Sequence, residues 1–214
     1  MNYQQTEKLK LTTPICKFKY SWLVEPDTKF DPPSYKVQAL IPAAEGQALA
    51  EQLDEFFEQY KKQLKAADPN KKYKLSGPSY EFTDVDGEAV LQLRLKRKAS
   101  GIGKDGRPYT SSVPLFDSQG KLIAHREPLS KMGAGTTGRV SFLASPYNNP
   151  SVGVGMSLKI LSAQIIEFVP YGGGAESHGF APVEGGWVPD EQGEQAVPFD
   201  GTQAVVDDSD YGDF

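Results

Sequence analysis

AVLQLRLKRKAS, residues 89–100, decides how this chain folds. Leu91, Leu93 and Leu95 alternate with Gln92, Arg94, Lys96 and Lys98, a period of two that an extended strand separates into two faces. One face is apolar and feeds a core. The other carries Arg94, Lys96 and Lys98 in a row, with Arg97 between them near the strand end. Like charges so arranged repel, so the row either guards an edge strand or faces a polyanion that relieves the repulsion.

Upstream, Asp86-Gly87 predicts the hairpin turn that opens this strand. Before it, Leu49, Leu53, Phe56, Phe57, Tyr60 and Leu64 fall at helical spacing. Glu45, Glu51 and Glu55 lie toward the start and Lys61, Lys62 and Lys65 at the end, a polarity that suits the helix dipole, and Asp68-Pro69-Asn70 stops the helix. Residues 35–41 alternate with Tyr35, Val37, Ala39 and Ile41 on one face. Residues 15–24 set Cys16, Phe18, Tyr20 and Trp22 against Lys17, Lys19 and Ser21, which predicts a half-buried strand; Trp22 reads as core or as an exposed platform. Downstream, GIGKDGRPY at 101–109 extends the cationic row into a hairpin tip with Lys104, Arg107 and Tyr109, followed by a strand-like TSSVPLF. Residues 136–144 and 155–169 read as two further strands joined by the turn SPYNNPSVG, which carries Tyr147. Five to eight strands and one inserted helix predict a mainly β protein, a small barrel of the OB type.

The two charge signs are segregated along the chain. Of 28 acidic residues, ten lie after Tyr171, where there is no Lys or Arg, leaving 18 against 23 basic residues before it. The net charge of −5 therefore divides into a body of +5 and a tail of −10. A basic domain tethered to an acidic tail can bind its own tail, a polyanion, or each in turn. The body, residues 1–170, is long enough for one core, and residues 171–214 read as a flexible Gly/Pro-rich linker and acidic tail. MNYQQTEKLKL lacks the apolar run of a signal peptide, and no stretch reaches the roughly 20 apolar residues of a membrane span, so the expected location is cytoplasmic, with no membrane partner.

Motifs that would carry catalysis have simpler readings. Gly101, Gly103 and Gly106 spell a dinucleotide fingerprint, but Arg107-Pro108-Tyr109 leads into a strand where the fingerprint needs a helix. Asp84-Val85-Asp86-Gly87 lacks the further ligands of a calcium loop. Cys16, flanked by Ile15, reads as a small core residue, and His125 and His178 form no ligand cluster. The expectation is a binding protein with no enzyme activity, no cofactor and no metal. Asp84, Asp86 and Glu88 are the one local carboxylate group that a nuclease reading would use, and a phage structural or assembly protein with a disordered acidic tail is the alternative.

RLKRK at 94–98, GVGMSLKILSAQIIEF at 153–168, YGGGAESHG at 171–179 and DDSDYGDF at 207–214 together resemble the single-stranded DNA-binding proteins of tailed phages. That resemblance implies an OB-fold, a five-stranded Greek-key β-barrel with extra strands or hairpins and one inserted amphipathic helix. It implies non-sequence-specific binding of single-stranded DNA in replication, recombination or repair. The residues expected to contact DNA, the cationic row and its neighbours together with rings free to stack, are Lys17, Lys19, Trp22, Arg94, Lys96, Lys98, Lys104, Arg107, Tyr109, Arg139, Tyr147 and Lys159. The tail would regulate DNA access and recruit replication or recombination proteins through Asp207, Asp208, Asp210, Tyr211, Asp213 and Phe214, and self-association is left open. Phe180, Trp187 and Phe199 make the linker more aromatic than a plain spacer.

Overall fold

A computed structural model describes residues 7–171 apart from 30, 104 and 131. In chain order the elements are β1 (Leu9–Thr12), β2 (Cys16–Asp27), β3 (Ser34–Pro42), α1 (Ala43–Ala67), β4 (Tyr80–Val85), β5 (Glu88–Lys98), β6 (Ser100–Ile102), β7 (Pro108–Thr110), β8 (Leu115–Phe116), a 3-10 turn (Glu127–Leu129), β9 (Thr137–Asn149) and β10 (Gly153–Glu167). The strand that opens the sequence reading is β5, with Leu91, Leu93 and Leu95 buried and Arg94, Lys96 and Lys98 exposed. Its entry is a two-residue turn: Asp86 and Gly87 both have positive φ, 56° and 82°, and the Asp84 carboxylate accepts the Gly87 N–H at 2.9 Å.

Eight strands form one sheet in the order β1-β9-β2-β3-β5-β10-β8, with β4 added on β5 and β9 also pairing β10, while β6 and β7 make a separate two-stranded ribbon. The expected five-stranded barrel is not closed. β5 and β10 meet at one register pair, Lys96 with Lys159, and β2 meets β9 at two. The physical cause is a wedge of chain between β5 and β10. Ser76 N–H donates to Val154 O at 2.9 Å and Val154 N–H to Lys74 O at 2.7 Å, on the β10 side. On the other side Arg94 N–H donates to Ser79 O at 2.8 Å, so residues 74–79 take backbone partners that a closed ladder would have joined directly.

Helix α1 begins directly at the end of β3 and packs Gly46, Leu49, Ala50 and Leu53 onto the sheet. A Cβ at Gly46 would lie 2.8 Å from Leu91 Cβ, so glycine sets the close approach of helix to β5. Phe56 and Phe57 only partly pack, and the basic end of the helix runs on past the core. No helix among the described residues is long and apolar enough to cross a membrane.

Two strands differ from their sequence reading. β9 and β10 pair from Thr137–Glu167 to Asn149–Gly153, with register shifts after Ile160 and Ile165, so Pro146 and Tyr147 belong to a strand and the turn is only residues 150–152. Pro146 lies beyond the last β1 pair, Leu9 with Ala144, where its missing N–H removes no ladder bond. Conversely, TSSVPLF is not one strand: Thr110 ends β7, and only Leu115–Phe116 form β8, preceded by Pro114.

Candidate nucleic-acid interface

The decisive irregularity is in β2. Cys16 and Phe18 are buried as alternation requires, but Tyr20 adopts φ 50° and the β2–β3 register shifts between Lys19 and Trp22. A bulge of one residue moves every later side chain to the opposite face. Leu23 takes the core position, 1% exposed, and Tyr20 and Trp22 emerge, 65% and 45% exposed. The sequence pattern placed both rings with Cys16 and Phe18; the bulge separates them.

Both rings line a cleft of about 1050 Å³ walled by β2, β3, β5 and β10 and bordered by Tyr109 of β7. Register fixes its floor. Trp22 pairs with Lys36, Lys36 with Lys96, and Lys96 with Lys159, so one aromatic ring and three ammonium groups lie side by side across four adjacent strands. Strand spacing makes that row roughly 14 Å wide. Along β5 the row is crossed by Arg94, Lys96 and Lys98, roughly 6.6 Å apart at two residues of rise.

The cations differ in how they are held. Lys36 is ion-paired with Asp27, whose carboxyl is kept below the usual carboxylate range by that ammonium first and by the Lys29 N–H second. Arg94 is paired with Glu81 and also donates to Pro78 O at 3.1 Å. Arg97 donates to Ser111 Oγ at 3.2 Å and to Leu161 O at 3.1 Å, bracing the ribbon side of the cleft. Lys96, Lys98 and Lys159 make no ion pair among the described residues.

Tyr109 enters the cleft from β7, where it pairs with Gly101. A Cβ at Gly101 would sit 2.9 Å from the Tyr109 hydroxyl and 3.0 Å from its ring, so the glycine lets the ring lie against β6. The GIGKDG segment is thus a hairpin tip, with Gly103 N–H donating to Arg107 O at 2.7 Å, and not a phosphate loop.

Of the residues expected to contact DNA, Trp22, Arg94, Lys96, Lys98, Tyr109 and Lys159 converge here. Lys19 stands beside the cleft, its ammonium 5.8 Å from the Tyr20 ring centroid. Lys17 instead pairs with Glu88 at 3.2 Å on a different surface, Arg139 is exposed on β9, and Arg107 extends from the hairpin tip near Asp105 at 3.8 Å. Tyr147 is half-buried on β9, packs over Gly155 and shares a 2.9 Å hydrogen bond with Ser76 Oγ, away from the cleft lining. Lys104 and the tail residues Asp207, Asp208, Asp210, Tyr211, Asp213 and Phe214 lie outside the described residues. The sequence reading missed Tyr20, Lys36 and Arg97. Lys36 had a signal, since it alternates with the buried residues of β3; Tyr20 had none short of the bulge.

Other titratable groups that the sequence singles out have structural partners among the described residues. Cys16 is 2% exposed and burial pushes its thiol pKa up to about 11 against the opposing Thr13 hydrogen bond. Asp84 is spent on its turn and Glu88 on Lys17. Among the described residues no group of three or more His, Cys, Asp or Glu is placed to hold a metal.

No protein-family model matches the chain, and no curated protein matches its sequence. Solved structures do. The crystal structure of gp2.5, a single-stranded DNA-binding protein encoded by bacteriophage T7, superposes with a TM-score of 0.66 over 86% of this chain and 100% of that one, at 23% identity. The single-stranded DNA-binding protein of bacteriophage Enc34 in complex with single-stranded DNA gives 0.54 over 76% and 89%, at 15% identity. The Enc34 protein without DNA gives 0.54 over 76% and 84%, also at 15%. At these identities the likeness is one of fold.

Proposed function

We propose that this chain is a non-catalytic single-stranded DNA-binding protein with little sequence preference, acting in phage DNA replication, recombination or repair in the cytoplasm of the infected host. The observation that carries the reading is the transverse row of Trp22, Lys36, Lys96 and Lys159 in a cleft that also presents Tyr20 and Tyr109. Ammonium groups follow phosphates, while exposed rings stack on bases, worth roughly 1–3 kcal/mol per base and available only where bases are unpaired. Every base has a π-face, so this chemistry is tolerant of sequence. The fold shared with two phage single-stranded DNA-binding proteins supports the same reading.

In this reading the acidic tail competes with DNA for the cleft and, when displaced, recruits replication or recombination proteins. The segregation of charge along the chain supports the first role. Met132 bridges to Pro170, and the Ser21 hydroxyl donates to Met132 Sδ at 3.1 Å, so Pro170 lies by β2, on the face opposite the one from which Trp22 emerges. Carried on the same chain as the cleft, the ten carboxylates are held at a high local concentration around the body.

Titrating the full chain with single-stranded and duplex DNA tests the main reading; equal affinity for both would overturn it. Removing residues 172–214 changes the net charge from −5 to +5. Single-strand affinity should then rise, most at low salt, where screening is weakest. An unchanged low-salt affinity would sink the competition idea.

A further inference from the structure

Residues 61–75, KKQLKAADPNKKYKL, hold six lysines against the single acidic residue Asp68, and the cleft accounts for none of them. Lys65 lies in the last turn of α1, where it complements the helix dipole. That explanation does not reach Lys71 and Lys72, which follow the helix on a separate segment. With Lys61 and Lys65 they surround a second hollow of about 610 Å³ that also contains Tyr73, Leu75 and Val154. Lys71 stands 5.5 Å from the Tyr73 ring centroid, and the Tyr73 hydroxyl donates to Leu64 O at 3.2 Å, fixing the ring against the helix end. Leu75 is 58% exposed at the rim.

This hollow is joined to the cleft by the chain itself. Leu75 bridges to Val154 on β10, and the wedge then continues through Pro78, which accepts from Arg94, to Ser79 in the cleft wall. Glycines hold the join in place: a Cβ at Gly153 would lie 2.4 Å from Lys74 O, and one at Gly155 2.0 Å from Ser76 Oγ. Along β10 the span from Lys159 to Val154 is five residues, roughly 17 Å. β10 itself is mostly buried over that span, but the wedge lying on it is not: Lys74, Leu75, Gly77 and Pro78 are exposed, so the wedge surface runs between cations at either end.

Building on the single-strand reading of the cleft, we infer that single-stranded DNA leaving the cleft past Ser79 crosses the wedge and is held at its far end by Lys65, Lys71 and Lys72, making the end of α1 a second contact region. The three ammonium groups make no ion pair among the described residues, whereas Lys61 is paired with Glu58. Tyr73 and Leu75 supply apolar surface beside them. Continuity with the cleft favours a nucleic acid over an acidic peptide, which would need no track between the two sites.

The test compares the full chain with its Lys65→Gln, Lys71→Gln, Lys72→Gln variant on oligothymidylates of about 8 and about 20 nucleotides, lengths bracketing a short and an extended footprint. The lysines are exposed and outside the sheet, and a melting curve confirms the fold. For the native chain, the slope of log affinity against log salt should be steeper on the long strand. The variant should lose about 2 from that slope, at roughly 0.7 per phosphate contact, and leave the short strand unchanged. An unchanged long-strand slope overturns the inference. An equal change on both lengths also overturns it, pointing to the acidic tail as the occupant. If the native chain binds neither oligonucleotide, the underlying single-strand reading fails.

Discussion

Lys96 is directly opposite Lys36 on one neighbour and Lys159 on the other, and this geometry gives its removal two effects of opposite sign. Paired Cβ atoms lie about 4.5–5.5 Å apart, and exposed ammonium groups splay to about 8 Å, where two unit charges in water repel by about 0.5 kcal/mol. Two such pairs give about 1 kcal/mol, less what the Asp27 carboxylate offsets at Lys36. Lys96→Met keeps the methylene stem and removes the charge. At about 10 mM salt, with a Debye length near 30 Å, most of the repulsion survives; at about 1 M, with a Debye length near 3 Å, almost none does. Stability should therefore rise by somewhat under 1 kcal/mol at low salt, or about 1–3 °C in melting temperature, and be unchanged at high salt. Single-strand affinity should fall at the same time, with the salt slope smaller by about 0.7. Calorimetry and a fluorescence titration on one preparation measure both. A variant that melted lower at low salt, or that bound with an unchanged slope, would refute the claim that the row is a repulsive surface relieved by phosphates.

Trp22→Ala should weaken single-strand binding by about 1–3 kcal/mol, and stability should fall by much less than the roughly 3–5 kcal/mol of a core tryptophan; a large loss of stability without loss of affinity would return Trp22 to the core. Tyr20→Gly relieves a left-handed conformation that costs an L-residue roughly 1–2 kcal/mol, so it should hold or raise stability while lowering affinity, as denaturant unfolding and titration would show. Asp27→Asn removes a carboxylate from the cleft and so adds one net positive charge there, which should strengthen binding at low salt and steepen the slope by about 0.7. Because the Asp27 carboxyl is held below its ordinary value, its ion pair stabilises the fold above the unfolded carboxyl pKa, about 3.9, and that contribution is lost as pH falls through the lower folded value. The Asn variant should lack this part of the acid denaturation profile.

How much of this was legible in the sequence depended on how local the determining physics is. β5 could be read because alternation, burial and charge coincide in Leu91 to Lys98 and nothing interrupts the ladder with β3. The helix could be read because its apolar spacing and terminal charges agree, although only the part around Leu49 and Leu53 reaches the core. The barrel could not be checked from strand count, since closure depends on which backbone groups find each other across β5 and β10. Residues 74–79 occupy that seam through hydrogen bonds that no side-chain pattern announces. The turn expected around Tyr147 differs for a related reason: the Pro and Asn residues there suggest a turn, yet Tyr147 pairs with Gly155 in the β9–β10 ladder, a register that no local pattern announces.

The cleft arises where two departures from a regular barrel occur together. A regular β2 would turn Tyr20 and Trp22 inward beside Phe18, and burying rings of that size stabilises a fold by about 1.5–3 kcal/mol each. The bulge gives up that gain and adds the left-handed strain at Tyr20, while Leu23 restores one apolar contact to the core. The wedge likewise replaces direct strand pairing with a longer path through Ser76 and Ser79. Neither change improves the packing of the body considered alone. Together they hold β5 and β10 apart while placing two rings at one side of the opening and Lys96 and Lys159 on its floor, at their single point of contact. Stability forgone at a surface lined by aromatics and mutually repelling cations is what a binding site for a flexible, base-exposing polyanion requires. An edge-guarding charge row needs no exposed tryptophan across the strand from it, and Lys96 lies in an interior strand, flanked by β3, β4 and β10, not at an edge.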